Sequence, residues 1–287
     1  MRRRGKLAGL TLVLGSAAAL TMASAATGSA STAPAPPVPH HDVGMLAPGR
    51  QAHLKGGVTR IDSDNWSGYA WEGSTAGRFT GARSYWTVPS VKSHDSGTEY
   101  CFDWVGIDGA FNNDMVVQDG TEEDNNHGTP YYSAWTEIYP ANEVRITSFT
   151  IKAGDKMEGI VQETATNKWS LTVKDLTTGK SYTRKVSFTT PGQDVEWVHE
   201  RPGVSGTLST LADTSNVSFA PDTYSTVAVG KSPVWENLNK AVAGATLDQI
   251  FMYNNAYSAV IASPSVLDSG GNGFAVAYGS KSPPPPG

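Results

Sequence analysis

The body of this chain consists of short runs of alternating apolar and polar residues that Gly, Pro, Asn and Asp interrupt at close spacing. One run, residues 85–88, ends at Pro89, and another places Trp169, Leu171 and Val173 on one face. Alternation with period 2 is typical of half-buried strands. Many short strands in one body of about 220 residues predict an all-β sandwich or barrel.

The clearest hairpin joins residues 169–173 to residues 182–188 through a turn that contains Gly179. Helical periodicity is weak, and the best helix candidate is the segment 235–243. Further strands are expected at residues 144–151, 156–162, 216–219, 250–253 and 274–278.

The N-terminus has the layout of an export signal. Basic residues at positions 2–4 and 6 precede an apolar run at 7–20 and the sequence Ala-Ser-Ala at 23–25. The apolar run is too short to span a bilayer, so this layout predicts a signal peptide over residues 1–25 and hence a secreted protein. Residues 26–60, rich in Ala, Pro, Ser and Thr, predict a pro-segment or flexible leader. The folded domain is then expected at 61–280, with a Pro-rich tail at 281–287.

Charge divides the chain in the same way. The full chain carries −5, and residues 1–60 carry +6, which leaves −11 for residues 61–287. An acidic body disfavours nucleic acid as a partner, because a phosphate backbone needs a basic surface. It also indicates a body that tolerates acid, where repulsion between carboxylates fades. No membrane association is expected once the signal is removed.

Cysteine and histidine spacing suggest neither a disulfide nor a metal. Cys101 is the single cysteine, so no internal disulfide can form. The chain has no CxxC, HExxH or calcium-loop pattern, so neither a metal nor another cofactor is expected. The acidic run Glu122, Glu123 and Asp124 is most simply a solvated loop.

The stretch at residues 195–201 alternates strictly. As a strand it places Glu196 and Glu200 on one face and Trp197 and His199 on the other. Such a carboxylate pair is either a solvated strand edge or part of a functional site.

Five short stretches carry more Trp, Gly and acid or amide residues than sandwich packing requires. Together they resemble the glutamic peptidase (eqolisin) family over nearly all of the body. They read NWSGY at 65–69, WVGIDG at 104–109, VVQDG at 116–120, WTEIYP at 135–140 and EWVHE at 196–200. The resemblance implies a catalytic sandwich of two antiparallel sheets, lectin/glucanase-like (concanavalin A-like), with a peptide groove on the concave face.

The resemblance also implies an acid endopeptidase that acts on a polypeptide substrate, and we expect a monomer. The family's catalytic pair is a Gln and a Glu, which match Gln118 and Glu200. The carboxylate is the general base for the attacking water and returns the proton to the leaving amine. The amide donates a hydrogen bond to the developing oxyanion. Glu196 then forms a structural pair or supports Glu200.

The other matched positions are expected to bind substrate. Trp66, Trp135 and Trp104 are candidates for the groove wall, while Glu137 and Asp108 are candidates for hydrogen bonds to the catalytic pair or the substrate. Tryptophans are equally often core residues, and an Asp before a Gly is often a turn former.

Three residues depart from the family pattern. Asp119 stands where Thr or Ser is more frequent, and His199 stands where an aliphatic residue is usual. Either group is able to shift the working pH, although His199 should point away from Glu200 by strand parity. Ile138 replaces a more usual Trp, which affects substrate preference.

The basic leader suggests a self-inhibited precursor. Arg50, Lys55 and Arg60 are candidates to lie across an acidic groove at neutral pH, and protonation of groove carboxylates would weaken that hold. The alternative is an unstructured spacer.

Two other functions fit a sandwich with an aromatic cleft. A glycoside hydrolase would use a carboxylate pair, with Glu137 as the second member, and would leave Gln118 without a role. A carbohydrate-binding module would need Trp66 and Trp135 exposed as stacking platforms.

Overall fold

The structure is a computed structural model, and it describes residues 52–53, 57–73, 78–94, 97–110 and 115–287. The predicted signal peptide and most of the predicted leader lie outside these residues. None of the described segments forms a helix of the length and apolarity that a membrane crossing needs. The described chain is made of strands, turns and irregular segments, which confirms the all-β class.

The strands are mostly short, as the turn-punctuated sequence predicts. In chain order they are β1 Ala52–His53, β2 Val58–Ser63, β3 Trp66–Glu72, β4 Gly81–Thr87, β5 Thr98–Glu99, β6 Phe102–Ile107, β7 Val116–Asn126, β8 Thr129–Tyr139, β9 Val144–Arg145, β10 Lys156–Ala165, β11 Lys168–Asp175, β12 Lys180–Ser187, β13 Val195–Glu200, β14 Gly203–Val204, β15 Thr207–Leu208, β16 Val217–Phe219, β17 Thr223–Ser225, β18 Glu236–Asn237, β19 Thr246–Tyr253, β20 Val260–Pro264 and β21 Phe274–Tyr278.

The main strands form two layers. The first layer runs β8–β7–β6–β13–β3–β19 with antiparallel pairing throughout, and β2 adds to β19 in parallel. The second layer runs β12–β11–β10–β4, and β4 also pairs with β16 and β17. Strand β20 pairs with both β19 and β21 and so joins the layers along one side. The hairpin predicted from the alternating runs is β11–β12.

Period-2 alternation gives strand β13 two different faces. Val195 and Trp197 belong to a large apolar cluster between the layers, together with residues of β10 and β11 such as Leu171. Val198 belongs to a second cluster on the other face of the first layer, which includes Trp104. The strand is therefore buried on both faces, and its carboxylates lie on the side of the second cluster.

Two predicted elements are wrong. The helix expected at 235–243 is instead the short strand β18 followed by turns. Its backbone amides bond to other segments, since Leu238 N donates to Asp222 O at 3.1 Å and Asn239 N donates to Gly271 O at 2.9 Å. The strand expected at 144–151 ends at Arg145; Ile146 N still donates to Ala134 O of β8 at 2.8 Å, and residues 147–151 form no strand.

The acidic run at 122–124 is not a solvated loop. It lies inside β7, and Glu122, Glu123 and Asp124 are each 0% exposed. Arg145 Nη2 donates to Glu122 Oε1 at 2.7 Å, and Cys101 N donates to Asp124 at 3.3 Å. Burial raises the pKa of Glu123 and Asp124 well above the ordinary value, so these side chains lie in the sheet as neutral acids rather than as solvated charges.

The domain begins earlier than predicted. Strand β2 starts at Val58, so the leader boundary predicted at residue 60 falls inside the sheet. The Arg60 guanidinium lies 3.7 Å from the centre of the Phe251 ring and donates to Asp62 at 3.2 Å. These contacts hold Arg60 in the sheet, so the idea that it lies across an acidic groove is wrong. The other two basic residues of that idea lie outside the described residues. No described strand follows Tyr278, so the tail is outside the sheets.

Several carboxyl pairs are buried together. Asp248 is 1% exposed, and burial together with the neighbouring Glu72 raises its pKa to about 9. Burial raises the pKa of Glu196 well above the ordinary value, and the charges of Asp194 and Asp108 add to that rise. A buried acid of this kind keeps its proton in the folded state at a pH where the unfolded chain has lost it.

We predict that the folded state is most stable in acid. A raised folded pKa means that this stability is complete below the unfolded pKa of about 4 and is lost as the pH rises toward the folded pKa. Asp248, with its pKa of about 9, costs up to about 4 kcal/mol between pH 4 and 7. Urea unfolding at intervals from pH 4 to pH 9 should show a falling free energy of unfolding.

The variant Asp248→Asn removes one titrating group and should flatten this decline. The matched control is Asp213→Asn, which removes a carboxylate paired with Lys92 at the surface and should leave the slope unchanged. A free energy of unfolding that rises from pH 4 to pH 8 in the unsubstituted protein would contradict the prediction.

We predict that Gly68 is required for the pairing of β3 with β13. It has φ +151°, and a Cβ built on it would lie 2.1 Å from the Trp197 carbonyl oxygen. Gly68→Ala should cost about 2–4 kcal/mol, because neither backbone can move away inside the sheet. Thermal unfolding should then show a fall in Tm of roughly 5–15 °C.

Gly179→Ala is the control for Gly68→Ala. Gly179 also has a positive φ of +74°, but a Cβ there would meet no atom within 4 Å. Its cost should be backbone strain alone, about 1 kcal/mol. Equal losses in the two variants would show that the contact with β13 is unimportant.

Candidate active site

Glu200 ends strand β13, between β3 and β6, and its carboxylate is held at both oxygens. Trp104 Nε1 donates to Oε2 at 2.6 Å, and Asn65 Nδ2 donates to Oε1 at 3.3 Å. The residue is only 1% exposed. Hydrogen bonds to the ionised form favour a carboxylate, so these donors keep a buried base available.

The Trp104 indole reaches Glu200 because two glycines leave room for it. A Cβ on Gly106 would lie 2.7 Å from Trp104 Cζ3, and a Cβ on Gly120 would lie 2.6 Å from Trp104 Cβ. The indole also meets Trp66 edge to face, with ring centres 5.0 Å apart. Gly106, beside the indole, and Gly120, beside the backbone of residues 103–104, therefore both serve the placement of Trp104.

The amide of Asn65 has a defined orientation. Ser63 Oγ donates to Asn65 Oδ1 at 3.0 Å, so Nδ2 is the atom that faces Glu200. Ser63 Oγ also accepts from the backbone N of Asn65 and of Trp66. No role was predicted for Asn65, although it is the first residue of the stretch at 65–69.

Gln118 and Glu137 face each other across β7 and β8. They are register partners, and Gln118 Nε2 donates to Glu137 Oε2 at 2.6 Å. Burial raises the pKa of Glu137 well above the ordinary value, and the charges of Glu143 and Glu200 raise it further. The pair therefore lies within electrostatic range of Glu200, and one region contains Gln118, Glu137 and Glu200.

Two charged residues at the same site had no role in the sequence predictions. Burial raises the pKa of Glu143 to about 7, although Arg145 opposes the rise. Arg145 Nε donates to Glu143 Oε1 at 3.1 Å. In the sequence, Glu143 is an acidic residue three positions after the stretch at 135–140. Taken alone, it resembles an ordinary loop residue.

The aromatic residues of the candidate site are buried. Trp66 is 1% exposed and Trp135 is 0% exposed, and Trp135 meets Phe102 edge to face at 5.6 Å. Their packing matches the alternative of core aromatics. The stacking-platform role that a carbohydrate-binding module requires gains no support from this burial.

Asp108 serves a loop rather than the catalytic pair. Its carboxylate accepts from Gly192 N and Gln193 N, both at 2.7 Å, and from the Thr190 hydroxyl. Its backbone has φ 63°, which is a turn conformation. Asp108 therefore acts as a turn former, and it is not part of the proposed site.

The three departures from the family pattern face between the layers. Asp119 Oδ2 accepts from Thr172 N of β11 at 2.9 Å, and burial raises the pKa of Asp119 well above the ordinary value. His199 Nδ1 lies 2.8 Å from Asp103 Oδ1, on the face opposite Glu200 as parity predicts. Ile138 belongs to the apolar cluster between the layers.

Among the described residues, Cys101, Asp103 and His199 are grouped closely enough to be considered as metal ligands. The sulfur lies 3.4 Å from one ring nitrogen and 3.5 Å from the other. An atom equidistant from both nitrogens lies over the ring rather than along either lone pair. The trio is therefore better described as a buried polar cluster than as a set of converging ligands.

The sequence of this chain is similar to a known protein family and to a protein from Aspergillus niger. The sequence model of the Peptidase A4 family matches residues 64–269. Aspergillopepsin-2 from Aspergillus niger is 31% identical over 188 residues, which are 58% of this chain and 66% of that protein. This chain thus spans just under two thirds of the length of that relative.

Solved structures share the fold. Scytalido-glutamic peptidase with a transition state analog inhibitor matches with a TM-score of 0.59 at 22% identity, over 75% of this chain and 98% of that chain. Aspergilloglutamic peptidase from Aspergillus niger matches with a TM-score of 0.52 at 24% identity, over 63% of this chain and 99% of that chain. The family match covers well over half of the sequence and includes all five stretches, so this chain belongs to the peptidase A4 family of glutamic peptidases.

Proposed function

We propose that the protein is a secreted endopeptidase that works in acid and hydrolyses polypeptides with Glu200 and Gln118. The observation that carries the proposal is the Glu200 carboxylate, buried and held at both oxygens by Trp104 and Asn65. The relative Aspergillopepsin-2 and the family match support peptide hydrolysis as the reaction.

Glu200 supplies the proton transfers. Its carboxylate takes a proton from a water molecule as that water attacks the scissile carbonyl carbon, and the same carboxyl returns a proton to the leaving amine. The two donors on Glu200 fix the orientation of its carboxylate, and such hydrogen bonds favour the ionised form. This step needs neither a nucleophilic side chain nor a charged partner.

Gln118 supplies the oxyanion donor. An amide nitrogen has two N–H groups, and Glu137 accepts one of them. That contact fixes which end of the amide is the donor, and we propose that this amide nitrogen donates to the carbonyl oxygen as it gains charge. Because an amide does not titrate, this donor works unchanged at low pH.

The raised pKa of Glu137 is consistent with catalysis at acidic pH. Burial raises the pKa of Glu137 well above the ordinary value, which favours its neutral form and lessens charge repulsion with Glu200 in a buried site. A glycoside hydrolase would use Glu137 as its second carboxylate, whereas the hydrogen bond to Gln118 gives Glu137 a positioning role.

We predict that Glu200→Gln and Gln118→Ala abolish or strongly reduce peptidase activity. Loss of the base should lower kcat by about 10²–10⁴-fold, and loss of the amide donor should lower it by about 10²–10³-fold. The measurement is hydrolysis of an unfolded casein-like substrate and of polysaccharide from acid to neutral pH.

The matched controls are Glu236→Gln and Gln162→Ala, because both residues lie away from the site on other strands. Both should keep full activity. Peptidase activity that survives Glu200→Gln, or activity confined to polysaccharide, would overturn the proposed function.

We also propose that the leader inhibits the precursor through the acidic groups of the site. Glu143 has a pKa of about 7, so it loses its charge as the pH falls below neutral and weakens its hold on a cationic segment. Precursor should therefore mature faster at pH 4 than at pH 7, as gel analysis over time would show. Equal rates would contradict the idea.

Glu143→Gln removes this charge at every pH. Precursor with Glu143→Gln should mature several-fold faster at pH 7 than the unsubstituted precursor, once rates are corrected for the activity of each mature enzyme at pH 7. The control Glu236→Gln removes a carboxylate that pairs with Lys240 at the surface and should not change the rate.

A further inference from the structure

Arg201 follows Glu200 directly and is almost fully buried, at 6% exposed. Its guanidinium contacts three separate segments of the chain. Nε donates to Asp64 O at 2.6 Å, Nη1 donates to Ser209 O at 3.3 Å, and Nη2 donates to Asn255 Oδ1 at 2.6 Å. Nη2 also donates to Tyr253 O at 3.3 Å, beside Asn255. Neutral oxygens accept all four bonds, so the group acts as a clamp between segments rather than as one half of a simple ion pair.

Arg201 binds the turn that contains Asn65. Arg201 binds this turn twice, because its own backbone N donates to Asn65 O at 3.0 Å while its side chain holds Asp64 O. Within the turn, Ser63 orients the Asn65 amide. Asn65 in turn donates to Glu200 Oε1. Hydrogen bonds at both ends and the short backbone of residues 63–65 between them thus connect the guanidinium to the carboxylate.

We propose that Arg201 is a positioning residue for Glu200, which acts by fixing the 63–65 turn so that the Asn65 amide donates to the carboxylate. The inference rests on the proposed catalytic role of Glu200. Asp64 and Tyr257 are the charged or titratable groups that act on Arg201, and both favour its cationic form. Burial lowers the pKa of Arg201, but an arginine starts so far above neutral pH that it stays charged.

The test compares Arg201→Gln and Arg201→Lys with the unsubstituted enzyme. Arg201→Gln frees the turn and removes a donor from Glu200, so kcat should fall about 10-fold with little change in KM. The acid limb of the kcat–pH profile should move upward by about one pH unit, because an ionised carboxylate that loses a hydrogen bond is protonated more easily. Arg201→Lys keeps the charge and one donor and should restore part of both effects.

Asn65→Ala should reproduce the shift of the acid limb. The double variant Arg201→Gln with Asn65→Ala should shift no further than Asn65→Ala alone, because the two residues act through one contact. Additive shifts would overturn the proposed path.

Arg78→Gln is the matched control. Arg78 likewise donates to loop carbonyls, those of Pro191 and Thr190, and pairs with Glu163, but it lies away from Glu200. It should lower Tm without moving the pH profile. If Arg201→Gln lowers Tm in the same way and leaves the profile in place, Arg201 is structural only and the inference is wrong.

A readout without turnover separates this inference from the proposed function. In protein labelled with ¹³C at glutamate carboxyls, the Glu200 signal is assigned by its loss in Glu200→Gln and then titrated by NMR. Arg201→Gln should shift that titration upward by about one unit relative to the unsubstituted protein and to Arg78→Gln. An unmoved titration overturns the inference even if the enzyme is active, whereas a shifted titration in a protein without peptidase activity overturns only the proposed function.

Discussion

The carboxylate of Glu200 lies in an aromatic cluster, and a charge in such a place must have its oxygens satisfied. The indole N–H of Trp104 and the amide of Asn65 provide the two donors. Each donor requires particular residues around it. Trp104 requires Gly106 beside its indole and Gly120 beside its backbone, since a Cβ at either position would clash with it. A single buried charge thus accounts for glycines on two neighbouring strands and for a turn at the start of β3.

Buried carboxyl groups occur in many parts of this domain. They make its stability and its proposed chemistry depend on the pH of the solvent. The structure retains Glu123, Glu196 and Asp248 inside the sheets, where burial raises the pKa of each. The free-energy cost of folding such a protein is lowest at a pH where these buried carboxyl groups are neutral. The same condition suits a site in which Glu137 is protonated and Gln118 cannot titrate. Stability and the proposed mechanism therefore favour acid for one shared reason, the desolvation of carboxyl groups.

The sequence predicted most strands and the two faces of β13, because period-2 alternation is a local property that a chain displays directly. It failed at residues 122–124, since these residues are buried by neighbouring strands, and Arg145, the partner of Glu122, comes from another strand that no local sequence pattern indicates. The same limit applies to the site. The motifs indicated Gln118, Glu137 and Glu200, but the roles of Asn65 and Arg201 depend on turns brought together by folding.

The departures from the family pattern share one location, and this bears on what they do. Asp119, His199 and Ile138 all face the space between the two layers, although each is adjacent in sequence to a residue of the proposed site. In a strand, adjacent side chains point to opposite faces, so a substitution beside a catalytic residue changes packing on the far side of the sheet. A departure of this kind alters how the layers fit together while the donors and acceptors around Glu200 stay in place. The alternation that builds the fold therefore also separates changes in its core from changes in its chemistry.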